Sequence, residues 1–225
     1  MVIRLISQII SEIVLTILYP ILSISLQTFQ KINIIEEKDQ KGKTIIIVER
    51  WLSLNIRHLY WRRYLIKKGY RVHLINFPLW HKDFKDSSLT LSQFMKDKKI
   101  TDGTLVGISS GAITCLLYLE ELGGWDRIDK FISIGAPFKG TWMMLFLSFI
   151  KSGRELLPGS DLTNKIASLN LNQPEKTICI KAEFDEMVPF GSILDGAKKV
   201  VIPIFGHNNL HLRHRETYQI IAREA

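Results

Sequence analysis

The sequence predicts an α/β fold, a mostly parallel sheet with helices on both faces. Three observations carry this. Short β-branched runs recur along the chain, segments with apolar residues at helical spacing lie between them, and glycines close several of those segments. A chain that alternates strand and helix buries both as a parallel sheet covered on two sides. Its 225 residues suffice for one sizeable core. With 46% hydrophobic and 23% charged residues, the composition excludes bulk disorder and fibrous or disulfide-scaffold classes.

Thr44–Val48 (TIIIV) follows a Lys-Gly-Lys turn and suits a strand buried on both faces. Residues 56–68 place Ile56, Leu59, Tyr60, Tyr64 and Leu65 at helical spacing and end at Gly69, a favourable residue just past a helix. Further strands are expected at Arg71–Asn76, Thr104–Ile108, Lys130–Ile134, Thr177–Ala182 and Lys198–Ile204. Helices are expected from a Ser87/Ser88 cap to about Lys98, over Gly111–Leu122, and over Leu212–Ala225. The longest break in the rhythm, Gly140–Asn172, is expected to form a small cap or lid.

The first thirty residues differ from the rest. Fourteen of the twenty-two residues from Leu5 to Leu26 are apolar, and Glu12 is their only charge. The length matches a hydrocarbon core of about 30 Å, so residues 1–30 read as a membrane-spanning anchor. A surface helix competes, because Arg4, Ser7, Gln8, Ser11 and Glu12 share a face. A cleaved signal peptide fits less well, since no small-x-small site follows the run. Membrane association is therefore expected, with a soluble cytoplasmic protein as the alternative. Net charge is +8, and residues 57–99 hold eleven Lys/Arg against three Asp. That stretch suits a solvated basic face or anionic headgroups. No nucleic-acid-binding pattern accompanies it, so no nucleic-acid partner is expected. Cys115 and Cys179 sit in apolar runs and read as core residues. The six histidines show no H-E-x-x-H spacing, and no metal or cofactor is expected.

The sharpest local signal is Gly107-Ile108-Ser109-Ser110-Gly111, set between an expected strand and an expected helix. That is the context of a nucleophile elbow, whose glycines permit a sharp turn and close strand–helix approach. The Ser110 N–H, at the helix start, can stabilise a developing oxyanion. A serine nucleophile needs a base and an orienting acid. Asp185 follows a strand end in Glu183-Phe184-Asp185-Glu186 and is the preferred acid, with Glu183 and Glu186 as rivals. His207 follows Gly206 at the end of the next strand and is the preferred base, with His211 and His214 as rivals.

These segments together resemble the α/β-hydrolase superfamily, and within it the compact lipase/esterase group. The resemblance runs from about Thr44 to the C-terminus. It rests on LVGISSGAITCLLYLEELGG, the turn GAPFKGT at 135–141, ELLPGSDLTNKIASLN, KAEFDEMVPF and FGHNNLHL. It implies a three-layer α/β-hydrolase domain over 43–225, with 140–172 as the cap. It implies Ser109 as nucleophile, Asp185 as acid and His207 as base. It also implies that the loop after the first strand supplies a second oxyanion N–H, here at Trp51 or else Leu52. Relatives usually carry His-Gly in that loop, whereas this chain has Glu49-Arg50. A carboxylate there opposes the negative charge of the transition state unless a cation pairs with it.

The walls suggest the substrate. Trp142–Ile150 is apolar at eight of nine positions. Leu52, Phe77, Pro137, Phe138, Trp142, Met143 and Phe146 are expected to line an apolar substrate pocket. The implied activity is a serine esterase or lipase acting on carboxylic esters, with lipid esters favoured. A non-catalytic lipid- or partner-binding protein and an acyltransferase on the same residues are the alternatives.

Overall fold

Strand β2 (Thr44–Arg50) is buried at all seven positions and organises the molecule. In the computed structural model the described residues are 5–16, 33–35, 42–50, 59–78, 81–212 and 214–225. Side chains of β2 alternate between two cores, as period-two geometry requires. Ile46 and Val48 join one core, and Ile45 and Ile47 join the other. Fully burying each such side chain contributes about 1.5–3 kcal/mol.

Among the described residues the sheet has seven strands. Strands β3 (Arg71–Phe77) and β4 (Gly103–Ile108) pair parallel to β2 on its two sides. Strands β5 (Ile128–Ile134), β6 (Thr177–Phe184) and β7 (Lys198–Phe205) extend the parallel order beyond β4. The exception is β1 (Asn33–Ile35), antiparallel on the outer edge of β3. The sequence reading did not include it, because a three-residue run carries no periodicity.

Helices cover both faces. α3 (Phe84–Asp97) and α4 (Gly111–Glu121) fill one core with Phe84, Leu91, Met95, Ile113 and Leu116. α2 (Leu59–Lys67) and α8 (Arg215–Glu224) close the other with Trp61, Leu65, Tyr218 and Ile221. Two expected boundaries are corrected. α3 starts at Phe84, because Asp83 caps it by accepting the Asp86 N–H at 2.7 Å. Ser87 and Ser88 are buried within the helix, and their hydroxyls donate to the carbonyls of Asp83 and Lys85. The last expected helix, Leu212–Ala225, begins later, as α8 at Arg215, and a separate short helix, α7 (His207–Leu212), precedes it. Cys115 and Cys179 are buried core residues, and burial pushes both thiols up.

From β2 the chain first builds β3 on one side, then returns to β4 on the other. Connections that diverge in this way open a crevice at the carboxyl ends of the two central strands. Residues 140–172 form a 3-10 turn at Trp142–Leu147, α5 (Lys151–Glu155) and α6 (Asp161–Ala167), and Thr141, Met144 and Leu156 of this segment border the crevice.

The N-terminal helix α1 (5–16) departs from expectation. Part of its polar face points inward: Ser11 and Glu12 are buried and Gln8 is half-buried, while Ser7, Ile6, Ile10, Ile13 and Val14 are exposed. Among the described residues no helix is long and apolar enough to cross a membrane. The spanning-anchor expectation therefore gains no support from residues 5–16, and 17–32 lie outside the described residues.

Candidate active site

The crevice holds the β4–α4 turn. Ser109 adopts φ +50°, a left-handed conformation that is uncommon for a residue with a side chain. Its N–H donates to the Ile134 carbonyl at 2.8 Å, which ties the turn to the neighbouring strand. Both flanking glycines are needed. A Cβ on Gly107 would lie 2.9 Å from the Ala112 side chain, and one on Gly111 would meet the Val48 carbonyl. Ser110 heads α4 with its N–H at the positive end of the helix dipole. Its hydroxyl donates to the Arg50 carbonyl at 3.2 Å and clamps the exit of β2 to the turn.

Asp185 lies just past β6, and His207 opens α7 just past β7. The Ser109 Oγ is 3.0 Å from His207 Nε2, and His207 Nδ1 is 2.8 Å from Asp185 Oδ2. The other Asp185 oxygen accepts the N–H groups of Met187 and Val188 at 3.1 and 2.9 Å. Burial acts to raise the Asp185 pKa, but His207 and these two N–H groups outweigh it and hold the carboxyl below its ordinary value. Burial acts to lower the His207 pKa, yet the Asp185 charge and hydrogen bond, then Glu186 and Glu12, raise it above the ordinary value. With the Nδ1 proton held by Asp185, Nε2 is left as an acceptor for the serine hydroxyl.

None of the rivals joins the line from Ser109 through His207 to Asp185, although His211 borders the same cavity. Glu183 is exposed. Glu186 accepts the His207 backbone N–H at 3.2 Å, so it meets the loop rather than the ring. Its carboxyl is pushed up to about 7 by burial and then by Glu12. His211 stacks edge-on against His207 at 4.3 Å between ring centres. Gly135, at φ +57°, makes room for both rings, since a Cβ there would lie 2.7 Å from His211 Nε2. His214 caps α8 beside Glu216.

Above Ser109 lies a cavity of about 110 Å³. Its apolar walls come from Leu15, Ile108, Pro137, Met144, Leu156 and Val188. Of the expected lining residues, Pro137 is there. Phe77 and Phe138 instead pack in the core, since the strand end and the 135–141 turn aim them into the α3–α4 layer. Trp142, Met143 and Phe146 point outward, with Phe146 79% exposed. The 3-10 turn is held by Thr141, which accepts the Met143 N–H and donates to the Met187 carbonyl, so only Met144 of this run reaches the cavity. Trp51 and Leu52 lie outside the described residues.

Glu49 is buried and borders the cavity. Arg50 is committed to the start of α3: it donates to the His81 carbonyl at 3.0 Å, to the Asp83 carbonyl and to the Ser87 hydroxyl, and it stacks over Phe84. Burial pushes its guanidinium down to about 10. Met144 lies within the apolar run at 142–150, whereas nothing in the sequence singles out Leu15, Leu156 and Met187 as cavity residues.

No protein-family model and no curated protein sequence matches this chain. Solved structures do. An esterase from Exiguobacterium antarcticum superposes with a TM-score of 0.65 at 17% identity, covering 88% of this chain and 97% of its own. A lipase of Bacillus licheniformis in its mature form gives 0.65 at 14% identity, covering 87% and 98%. A monoacylglycerol lipase of Paleococcus ferrophilus gives 0.61 at 11% identity, covering 87% and 100%. The seven-stranded sheet, the strained serine turn between β4 and α4, and these superpositions establish that this chain has the α/β-hydrolase fold.

Proposed function

We propose that this protein is a serine carboxylic-ester hydrolase that works through an acyl-enzyme on Ser109. The observation that carries the reading is the continuous hydrogen-bonded line from Ser109 through His207 to Asp185, with spacings of 3.0 and 2.8 Å, beneath an apolar cavity. His207 Nε2 takes the hydroxyl proton as Ser109 Oγ bonds to the ester carbonyl carbon. Negative charge moves to the carbonyl oxygen, where the Ser110 N–H and one N–H from the β2 exit loop stabilise it. As the carbonyl re-forms, the bond to the alkoxy oxygen breaks and His207 returns the proton to the departing alcohol. Water then repeats the sequence, with its proton taken by His207, and the acid leaves as Ser109 regains its hydrogen. Asp185 holds the imidazole in one tautomer and stabilises its protonated form.

The cavity supports an ester with an apolar acyl group. Its volume is small beside the roughly 300–1,000 Å³ of typical ligand pockets, which favours a short acyl chain over a long one. The exposed apolar faces of α1 and of Trp142–Phe149 support docking at a lipid surface.

An ester series of increasing acyl length tests the proposal. Hydrolysis that is highest for short acyl groups and is abolished in Ser109→Ala is expected. Equal hydrolysis by the wild type and Ser109→Ala would overturn it.

A further inference from the structure

Helix α7 begins at the catalytic histidine and has no acidic residue in its own first turn. Glu186 meets the His207 N–H at 3.2 Å, and a second carboxylate reaches the next two amides from the other end of the chain. Glu12, only 2% exposed, accepts the Asn208 N–H at 2.7 Å through Oε1 and the Asn209 N–H at 2.8 Å through Oε2. The Asn208 side-chain amide adds a third bond to Oε1 at 2.8 Å. Gly206, at φ +108°, leaves the room this requires, since a Cβ there would lie 2.6 Å from the Glu12 carboxyl carbon. Neighbouring contacts lock the same pair of segments. Ser11 donates to the Asn209 side chain at 3.0 Å, and Asn209 donates to the Gln8 carbonyl at 3.0 Å.

We propose that Glu12 is a positioning residue for the reaction: its carboxylate, delivered by α1, fixes the first turn of α7 and so holds the His207 ring between Asp185 and Ser109. This rests on the reading of Ser109, His207 and Asp185 as catalytic. The physical reason is that two charge-assisted bonds to successive backbone N–H groups leave the helix start one orientation. His207 is the residue immediately before those two amides. A rotation there that lengthens the 3.0 Å serine contact by 1 Å is enough to cost about 10²-fold in rate. Burying a carboxylate is unfavourable unless such bonds compensate it, which explains the one charge in an otherwise apolar run.

The test compares Glu12→Ala and Glu12→Gln with the full-length wild type, on a soluble short-chain ester. Glu12→Ala is expected to lower kcat by about 10- to 100-fold with KM within about twofold. Glu12→Gln keeps one acceptor but presents an amide donor to the second N–H, so a loss of about tenfold is expected, again in kcat. A cooperative thermal transition shows that each variant is folded. If Glu12→Ala does not fold, Glu12→Gln decides alone. A folded variant with wild-type kcat, or a loss carried by KM, would overturn the proposal. A second readout separates it from the functional reading: the far-downfield proton resonance of His207 Nδ1–H, bonded to Asp185. Its loss in the Glu12 variants supports positioning even if the wild type hydrolyses nothing. Its persistence in Glu12→Ala overturns positioning even if the wild type is active.

Discussion

Gly111→Ala sets two well-defined effects against each other. Glycine to alanine within a helix normally stabilises by up to about 1 kcal/mol, because alanine has less backbone entropy to lose. Here the added Cβ would sit 2.9 Å from the Val48 carbonyl carbon and 3.0 Å from the Glu49 Cα, and it would press on the Val48 oxygen. Those atoms are backbone of the central strand, which is buried at every position and pinned by β3 and β4. Neither side can yield by a side-chain rotation, so α4 must move away from β2 by several tenths of an ångström. Overpacking of this kind costs about 1–3 kcal/mol, which exceeds the propensity gain. The shift also carries the Ser110 N–H and the strained Ser109 turn. Thermal melting and kcat on a short-chain ester provide the assay. The expected result is a lower Tm together with a loss of about 10²-fold in kcat. A higher Tm with unchanged kcat would refute the close-approach argument.

Other expectations concern charge. The raised His207 pKa places the acid limb of kcat/KM above pH 6.5, because activity needs the neutral ring and falls as pH drops through that value. Asp185→Asn is expected to move this limb toward lower pH and to lower kcat by about 10³–10⁴-fold, and a pH–rate profile checks both. Glu186, pushed up to about 7, holds its proton more tightly in the folded protein. Its contribution to stability is present below pH 4.5 and is lost as pH rises toward 7, by about 1–2 kcal/mol after allowance for its partial exposure. Melting temperatures from pH 5 to 8 are therefore expected to fall less in Glu186→Gln than in the wild type.

The parts of this molecule that sequence reveals are those whose physics is local. TIIIV at 44–48 can hardly be anything but a buried strand, and glycines two residues either side of Ser109 announce a turn that only glycines fit. Chain order then brought Asp185 and His207 into view, because each follows a strand end. What escaped reading depends on distant partners or on direction. Glu12 meets α7 196 residues away, and nothing in its apolar neighbourhood hints at a backbone to cap. The apolar run at 142–150 was legible as unusual, but which of its residues turn inward is set by Thr141 gripping the Met187 carbonyl. Asp83 displaced Ser87/Ser88 as the α3 cap because one residue's extended backbone decides a helix start, and composition does not report that.

The most direct test of the central claim is fluorophosphonate labelling with the adduct mapped by mass spectrometry. The predicted result is a single covalent adduct on Ser109, formed by the wild type and missing from Ser109→Ala. The reagent requires a serine activated by its base, so a folded wild type that stays unlabelled, or an adduct on any other residue, would contradict the account.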